Sequence, residues 1–141
     1  MRRVLSLAAV VLFLPFIASV AVSPGMEATL LDVTVDGGPG ETRVALRSDV
    51  PISSTDYQLT NPPRIVVDCV DVSSPLAGRR LTSVSQGGVK DISVTQFRGS
   101  DLIRVVIETE ELVSYNVRLD GSARVIEWPA TAAFSEAIPS N

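Results

Sequence analysis

From residue 28 onward, apolar and polar side chains alternate with a period of two in short runs, each closed by turn-forming residues. Successive side chains of a strand point to opposite faces, so these runs predict half-buried β-strands. TLLDVTV (29–35) alternates in its second half and stops at DGGPGE (36–41). In TRVALRS (42–48), Val44 and Leu46 fall on one side, with Arg43, Ala45 and Arg47 on the other. Two such runs about a Gly- and Pro-rich turn predict a β-hairpin, with a connection longer than two residues.

SSTDYQLT (53–60) is a weaker strand, closed by the NPP break at 61–63. RIVVDCV (64–70) carries the strongest β signal, because branched side chains are stiff and pack well on a pleated surface. Ile65, Val67 and Cys69 share one of its faces, and Arg64, Val66, Asp68 and Val70 share the other. Its two charges therefore need no burial. VKDISVTQF (89–97) and LIRVVIETE (102–110), joined by RGSD, predict a second hairpin. In the latter run Ile103, Val105 and Ile107 oppose Leu102, Arg104, Val106 and Glu108. VSYNVRL (113–119), the turn DGS and ARVIEW (123–128) predict a third. The polar, aperiodic stretch 71–88 reads as a long loop with room for a short helical turn or an edge strand near 76–81. Eight candidate strands without an amphipathic helix predict an all-β fold, a small two-sheet β-sandwich or a barrel.

The N-terminus follows other rules. Met1-Arg2-Arg3 precedes an uncharged apolar run over 4–22, with Ser19 and Ala21 at the −3 and −1 spacing of a secretory cleavage site. This predicts a signal peptide over 1–21. A run of this length also fits an uncleaved anchor, which would place the chain at a membrane. Pro15 and the closing small residues favour cleavage. Either way the body, a domain over 28–128 with a tail over 129–141, is expected in the periplasm or cell envelope.

Charge and composition narrow the function. Of 12 basic residues, loss of Arg2 and Arg3 leaves 10 against 16 acidic ones, a net charge of −6. Such a domain suits neither nucleic acid nor an anionic membrane surface. One cysteine, Cys69, allows no intrachain disulfide. The absence of histidine removes the commonest general base, the usual zinc ligand and the His-dependent nucleophile systems. Carboxylates at Asp68, Asp71, Asp91, Glu108, Glu110 and Glu111 include no pair that the sequence sets across a cleft, so neither an enzyme nor a metal site is expected, and no cofactor.

The order YQLTNPPRIVVDCVDV, GVKDISVTQF, LIRVVIET, YNVRLDG and RVIEW resembles the AMIN domain over residues 28–128. Its most specific part is LTNPPRIVVD, and the second is the pairing of VKDISVTQF with IRVVIE. The resemblance implies a periplasmic β-sandwich of the kind that fronts type IV pilus secretins and N-acetylmuramoyl-L-alanine amidases. Its implied role is non-catalytic binding of peptidoglycan glycan strands, or, alternatively, service as a protein–protein adaptor for pilus, secretin or amidase partners. Two positions depart from the family pattern: Cys69, where an aliphatic residue is usual, and Ser93, often basic.

Individual residues carry two readings each. Arg64 and Asp68 make an ion pair on a solvated face, or Asp68 caps the NPP turn, while in the binding reading Arg64 offers planar donors to sugar hydroxyls or stem-peptide carboxylates. Tyr57, Tyr115 and Trp128 combine a ring with a polar edge. Trp128 reads mainly as a core lid, and Tyr57, beside the Asn61 turn, as the better sugar platform. Gln96, Arg98 and Arg104 lie about one hairpin end, where Arg98 and Arg104 would form a basic patch if they met Arg64. The candidate ligand-binding set is thus Tyr57, Asn61, Arg64, Asp68, Gln96, Arg98 and Arg104. Cys69 alternates with Ile65 and Val67 and reads as core.

Overall fold

The computed structural model describes residues 27–81 and 87–130. The expected signal segment, its cleavage point and the tail beyond Ala130 lie outside the described residues. Ten strands follow in order: β1 (Ala28–Gly38), β2 (Glu41–Ser48), β3 (Ser53–Thr60), β4 (Pro63–Val70), β5 (Val72–Ser73), β6 (Arg80–Leu81), β7 (Val89–Gln96), β8 (Leu102–Thr109), β9 (Asn116–Asp120) and β10 (Ala123–Pro129). Among the described residues there is no helix. The eight anticipated strands are all present. The two additions, β5 and β6, are two-residue strands cut from the stretch that reads as loop, and β6 supplies the edge strand expected near residue 81.

Two five-stranded sheets form the sandwich, in the orders β5-β1-β2-β10-β9 and β3-β4-β8-β7-β6. All pairings are antiparallel except β1 with β5. Leu30, Val44, Leu46, Ile126 and Trp128 from the first sheet meet Ile65, Val67, Cys69, Ile92, Val94, Ile103, Val105 and Ile107 from the second, all buried in one core. Trp128 is thus a core residue, and Cys69 packs as a small apolar side chain whose thiol burial pushes up to about 11. With no disulfide available, this packing is what the fold stands on.

The structure corrects two boundaries. The β1–β2 ladder runs on to Gly38 opposite Glu41, leaving Pro39 and Gly40 alone in a two-residue turn, not a longer connection. Pro39 presets φ, and Gly40 supplies the positive φ of 118° that the second turn position demands. Residues 113–115 also stay outside the ladder, because β9 begins only at Asn116. They serve as a strap instead: the Val113 carbonyl accepts a 3.0 Å bond from the Gln58 amide of β3, and the Tyr115 hydroxyl donates at 2.8 Å to the Asp56 carboxylate. Partial burial and that bond hold the Tyr115 phenol protonated up to about 12.

One polar contact closes the sandwich near the start of β7. Thr42, fully buried, donates its hydroxyl to the Gly87 carbonyl at 2.9 Å. Gly87 has a φ of 64°, and a Cβ there would collide with the Thr42 side chain. Gly87→Ala is therefore expected to cost about 1–3 kcal/mol in urea unfolding. Adding Thr42→Ala should cost less than the sum of the two single changes, since it removes the obstructing atoms.

Candidate functional site

The outward face of the second sheet is a grid, because antiparallel register sets outward residues of neighbouring strands side by side. Leu59, Arg64, Glu108 and Asp91 form one row across β3, β4, β8 and β7. The next row is Tyr57, Val66, Val106 and Ser93, with Arg80 of β6 beyond it. Thr55, Asp68, Arg104 and Thr95 form the third. Ser53, Val70 and Leu102 form the fourth, where the Phe97 amide bonds the Leu102 carbonyl at 3.3 Å. From Arg64 to Val70 the face spans six residues at ~3.3 Å each, about 20 Å.

Val66 lies on this outward side yet is only 2% exposed, and it is not part of the inter-sheet core. Its neighbours across the ladder, Tyr57 and Val106, flank it on either side. Around that apolar centre Tyr57, Leu59, Val70 and Phe97 are 40, 38, 44 and 42% exposed, four of the large apolar side chains that the molecule leaves in water.

The charges on the face are in different states. Arg104 donates two bonds to Asp68, Nε to Oδ1 at 2.7 Å and Nη2 to Oδ2 at 2.8 Å, and its guanidinium lies 5.1 Å from the Phe97 ring centroid. The bond to Asp68 raises the Arg104 pKa further above its ordinary value. Arg80 reaches Asp91 at 3.1 Å, and Lys90, the chain's single lysine, reaches Glu108 at 3.5 Å. Arg64 stands apart. It sits opposite Glu108 in register, but its Nε is buried without a hydrogen-bond partner among the described residues. Asp68 thus neither pairs with Arg64 nor caps the NPP turn: it faces Arg104 directly across the ladder, and the shorter reach decides the partner.

Four of the seven expected site residues, Tyr57, Arg64, Asp68 and Arg104, therefore share one face. Gln96 and Arg98 lie at its far end, in a shallow hollow of about 320 Å³ lined also by Phe97, Gly99, Ser100 and Asp101. Asn61 occupies the β3–β4 turn at the opposite end, followed by a cis peptide to Pro62. The basic patch of Arg64, Arg98 and Arg104 does not form, because Arg64 sits in the first row, Arg104 in the third and Arg98 beyond the fourth. Sequence reasoning put Val70 on the Arg64 face without counting it as a candidate contact, and missed Leu59 and Phe97 as members of that face. Alternation along β3 and β4 carries that signal for Leu59 and Val70, and the register of β7 carries it for Phe97.

The first sheet's outward face differs. Arg118 bonds Glu127 at 3.1 Å and Asp120 at 3.1 Å, and Arg43 bonds Glu41 and lies 3.6 Å from Glu127. Arg43 and Arg118 are thus paired, Arg47 of the same face makes no ion pair among the described residues, and Val125 lies buried beneath them. Among the described residues no group of three or more acidic or cysteine side chains could hold a metal ion.

Comparison with known families matches the AMIN-domain model to residues 32–127, most of the chain and nearly all of the sandwich. AMIN domains are periplasmic modules that generally bind peptidoglycan. No curated protein matches the sequence.

The Asp68–Arg104 pair is part of the face's framework. Arg104→Ala or Asp68→Ala should each cost about 1–3 kcal/mol by leaving a half-buried partner unsatisfied. A double-mutant cycle by urea unfolding should return a favourable coupling of about 0.5–3 kcal/mol.

Proposed function

Because this chain belongs to the AMIN-domain family, we propose that it is an exported, non-catalytic module that binds peptidoglycan through the outward face of β3, β4, β8 and β7. The observation that carries this reading is Arg64. Of the three arginines on that face, Arg80 and Arg104 are engaged by carboxylates, whereas Arg64 keeps a guanidinium without an ion-pair partner among the described residues.

A planar guanidinium suits what the cell wall offers. Stem-peptide carboxylates accept its donors in parallel pairs, and sugar hydroxyls accept them singly. Tyr57, two residues from Leu59 along β3 and opposite Val66, supplies an exposed ring with a hydroxyl edge beside the same site. Sugar rings stack on such surfaces through their C–H faces while the edge makes hydrogen bonds. Thr55, Ser93 and Thr95 add small polar groups across the sheet. Arg104, held by Asp68 over Phe97, stiffens the face and contributes less charge to a ligand. The acidity of the whole domain means that binding is local, made by this one cationic site and not by a basic surface.

Co-sedimentation of residues 22–141 with isolated sacculi tests the reading. Binding is expected at moderate ionic strength and should weaken as salt rises. Arg64→Ala should lower it about 10- to 100-fold, the loss of a charge-assisted bond worth roughly 1.5–3 kcal/mol. Arg43→Ala on the opposite sheet should leave it unchanged. No co-sedimentation by the unaltered chain, or equal loss in both variants, would contradict the proposal.

A further inference from the structure

A sheet edge exposes a row of backbone N–H and C=O groups, and proteins protect edges with short strands, lysine, proline or bulges. The four edges of this sandwich are treated unequally. β5 and β6 are two residues long. β9 has five residues and carries Arg118 and Asp120, both engaged in ion pairs. β3 has eight residues, Ser53–Thr60, without proline, lysine or arginine, and pairs with β4 through an unbroken register. Among the described residues no backbone hydrogen bond joins β3 to anything but β4. β5 covers only Ala28 and Thr29 of β1, but the open remainder of β1 is broken by a register shift between Leu30 and Asp32 and carries Asp32 and Asp36, which leaves β3 as the long edge with an unbroken register and a single charge.

The surroundings of that edge are apolar and acidic. Tyr57 and Leu59 lie on β3 itself, and Leu112 precedes the strap residue whose carbonyl accepts from Gln58. These are three of the seven large apolar side chains that the described residues expose. The single charge on β3 is Asp56, and the strap that reaches β3 at Val113 and Tyr115 holds no basic residue.

We infer that the β3 edge is a docking site for an extended segment of a partner protein, added as an eleventh strand, with apolar residues at alternate positions and basic residues between them. Strand addition gains affinity from main-chain hydrogen bonds and specificity from alternate side chains. Apolar residues of the incoming strand would continue the row set by Tyr57 and Leu59, and its basic residues would meet the Asp56 carboxylate. The charge selects this occupant over a second copy, because a paired copy would bring the same acidic groups together. This inference is independent of peptidoglycan binding: it uses the edge of the sheet and not its face.

The probe is an end-capped octapeptide alternating valine with lysine and threonine, added to residues 22–141 while amide exchange is followed by NMR. Protection of the β3 amides should rise at least about tenfold at saturating peptide. The same peptide N-methylated at alternate residues should give no rise, since it lacks donors for the ladder. Asp56→Asn should weaken binding severalfold, and replacing the peptide lysines by glutamate should abolish it. Failure of the unmodified peptide to protect β3 at millimolar concentration would overturn the inference. So would β3 protection that grows with protein concentration alone, which would assign the edge to a second copy. Sacculus binding that persists in either case would show the face reading to be unaffected.

Discussion

The register of the β4–β8 ladder is the constraint on which the rest of the molecule depends. Ile65, Val67 and Cys69 meet Ile107, Val105 and Ile103 in fully buried pairs at the centre of the second sheet. The intervening residues of the same two strands include Arg64, Asp68, Arg104 and Glu108. A slip of one residue would send those charges into the core and the isoleucines into water, which makes the pairing strongly specified. The alternation that builds the core therefore builds the outward face as well, and Asp68 opposite Arg104 follows from the register that sets Val67 opposite Val105.

That coupling explains why the outward faces of the two sheets differ. Both carry charge outward, but on the first sheet Arg43 and Arg118 are engaged by Glu41, Glu127 and Asp120, and Arg47 alone on that face makes no ion pair among the described residues. The second sheet leaves Arg64 without such a partner among the described residues, one row from the exposed Tyr57 ring and buried Val66. A surface on which charges are already paired has little to offer an incoming carboxylate or hydroxyl. One that presents an uncommitted guanidinium next to apolar planes does. β3 bounds this face and is also an open edge of its sheet, so the proposed glycan surface and the proposed docking edge are adjacent but distinct.

Much of this was legible in the sequence, for a physical reason. Period-two alternation in RIVVDCV and LIRVVIETE states which side chains share a face, and the structure keeps every one of those assignments. Trp128 and Cys69 read correctly as core. What alternation cannot state is which strand lies beside which. The partner of Asp68 depended on that, and so Arg104 from a distant hairpin took the place that Arg64 seemed to hold. For the same reason the sequence could not say whether Arg98 and Arg104 lie near Arg64, and the register sets them apart. Turn length failed for a related reason: DGGPGE is rich in turn formers, but Gly37 and Gly38 were absorbed into the ladder, leaving Pro39 and Gly40 to turn. Short strands such as β5 and β6 carry too few residues for a period to show.

The central claim is that binding chemistry resides on one face of one sheet. Chemical-shift mapping of the 15N-labelled domain with soluble peptidoglycan fragments tests it most directly. The account predicts that perturbations gather on Thr55, Tyr57, Leu59, Arg64, Val66 and Arg104, with the Arg64 side chain among the largest. Perturbations gathered on Arg43, Arg47, Arg118 and Glu127 of the opposite sheet would contradict it.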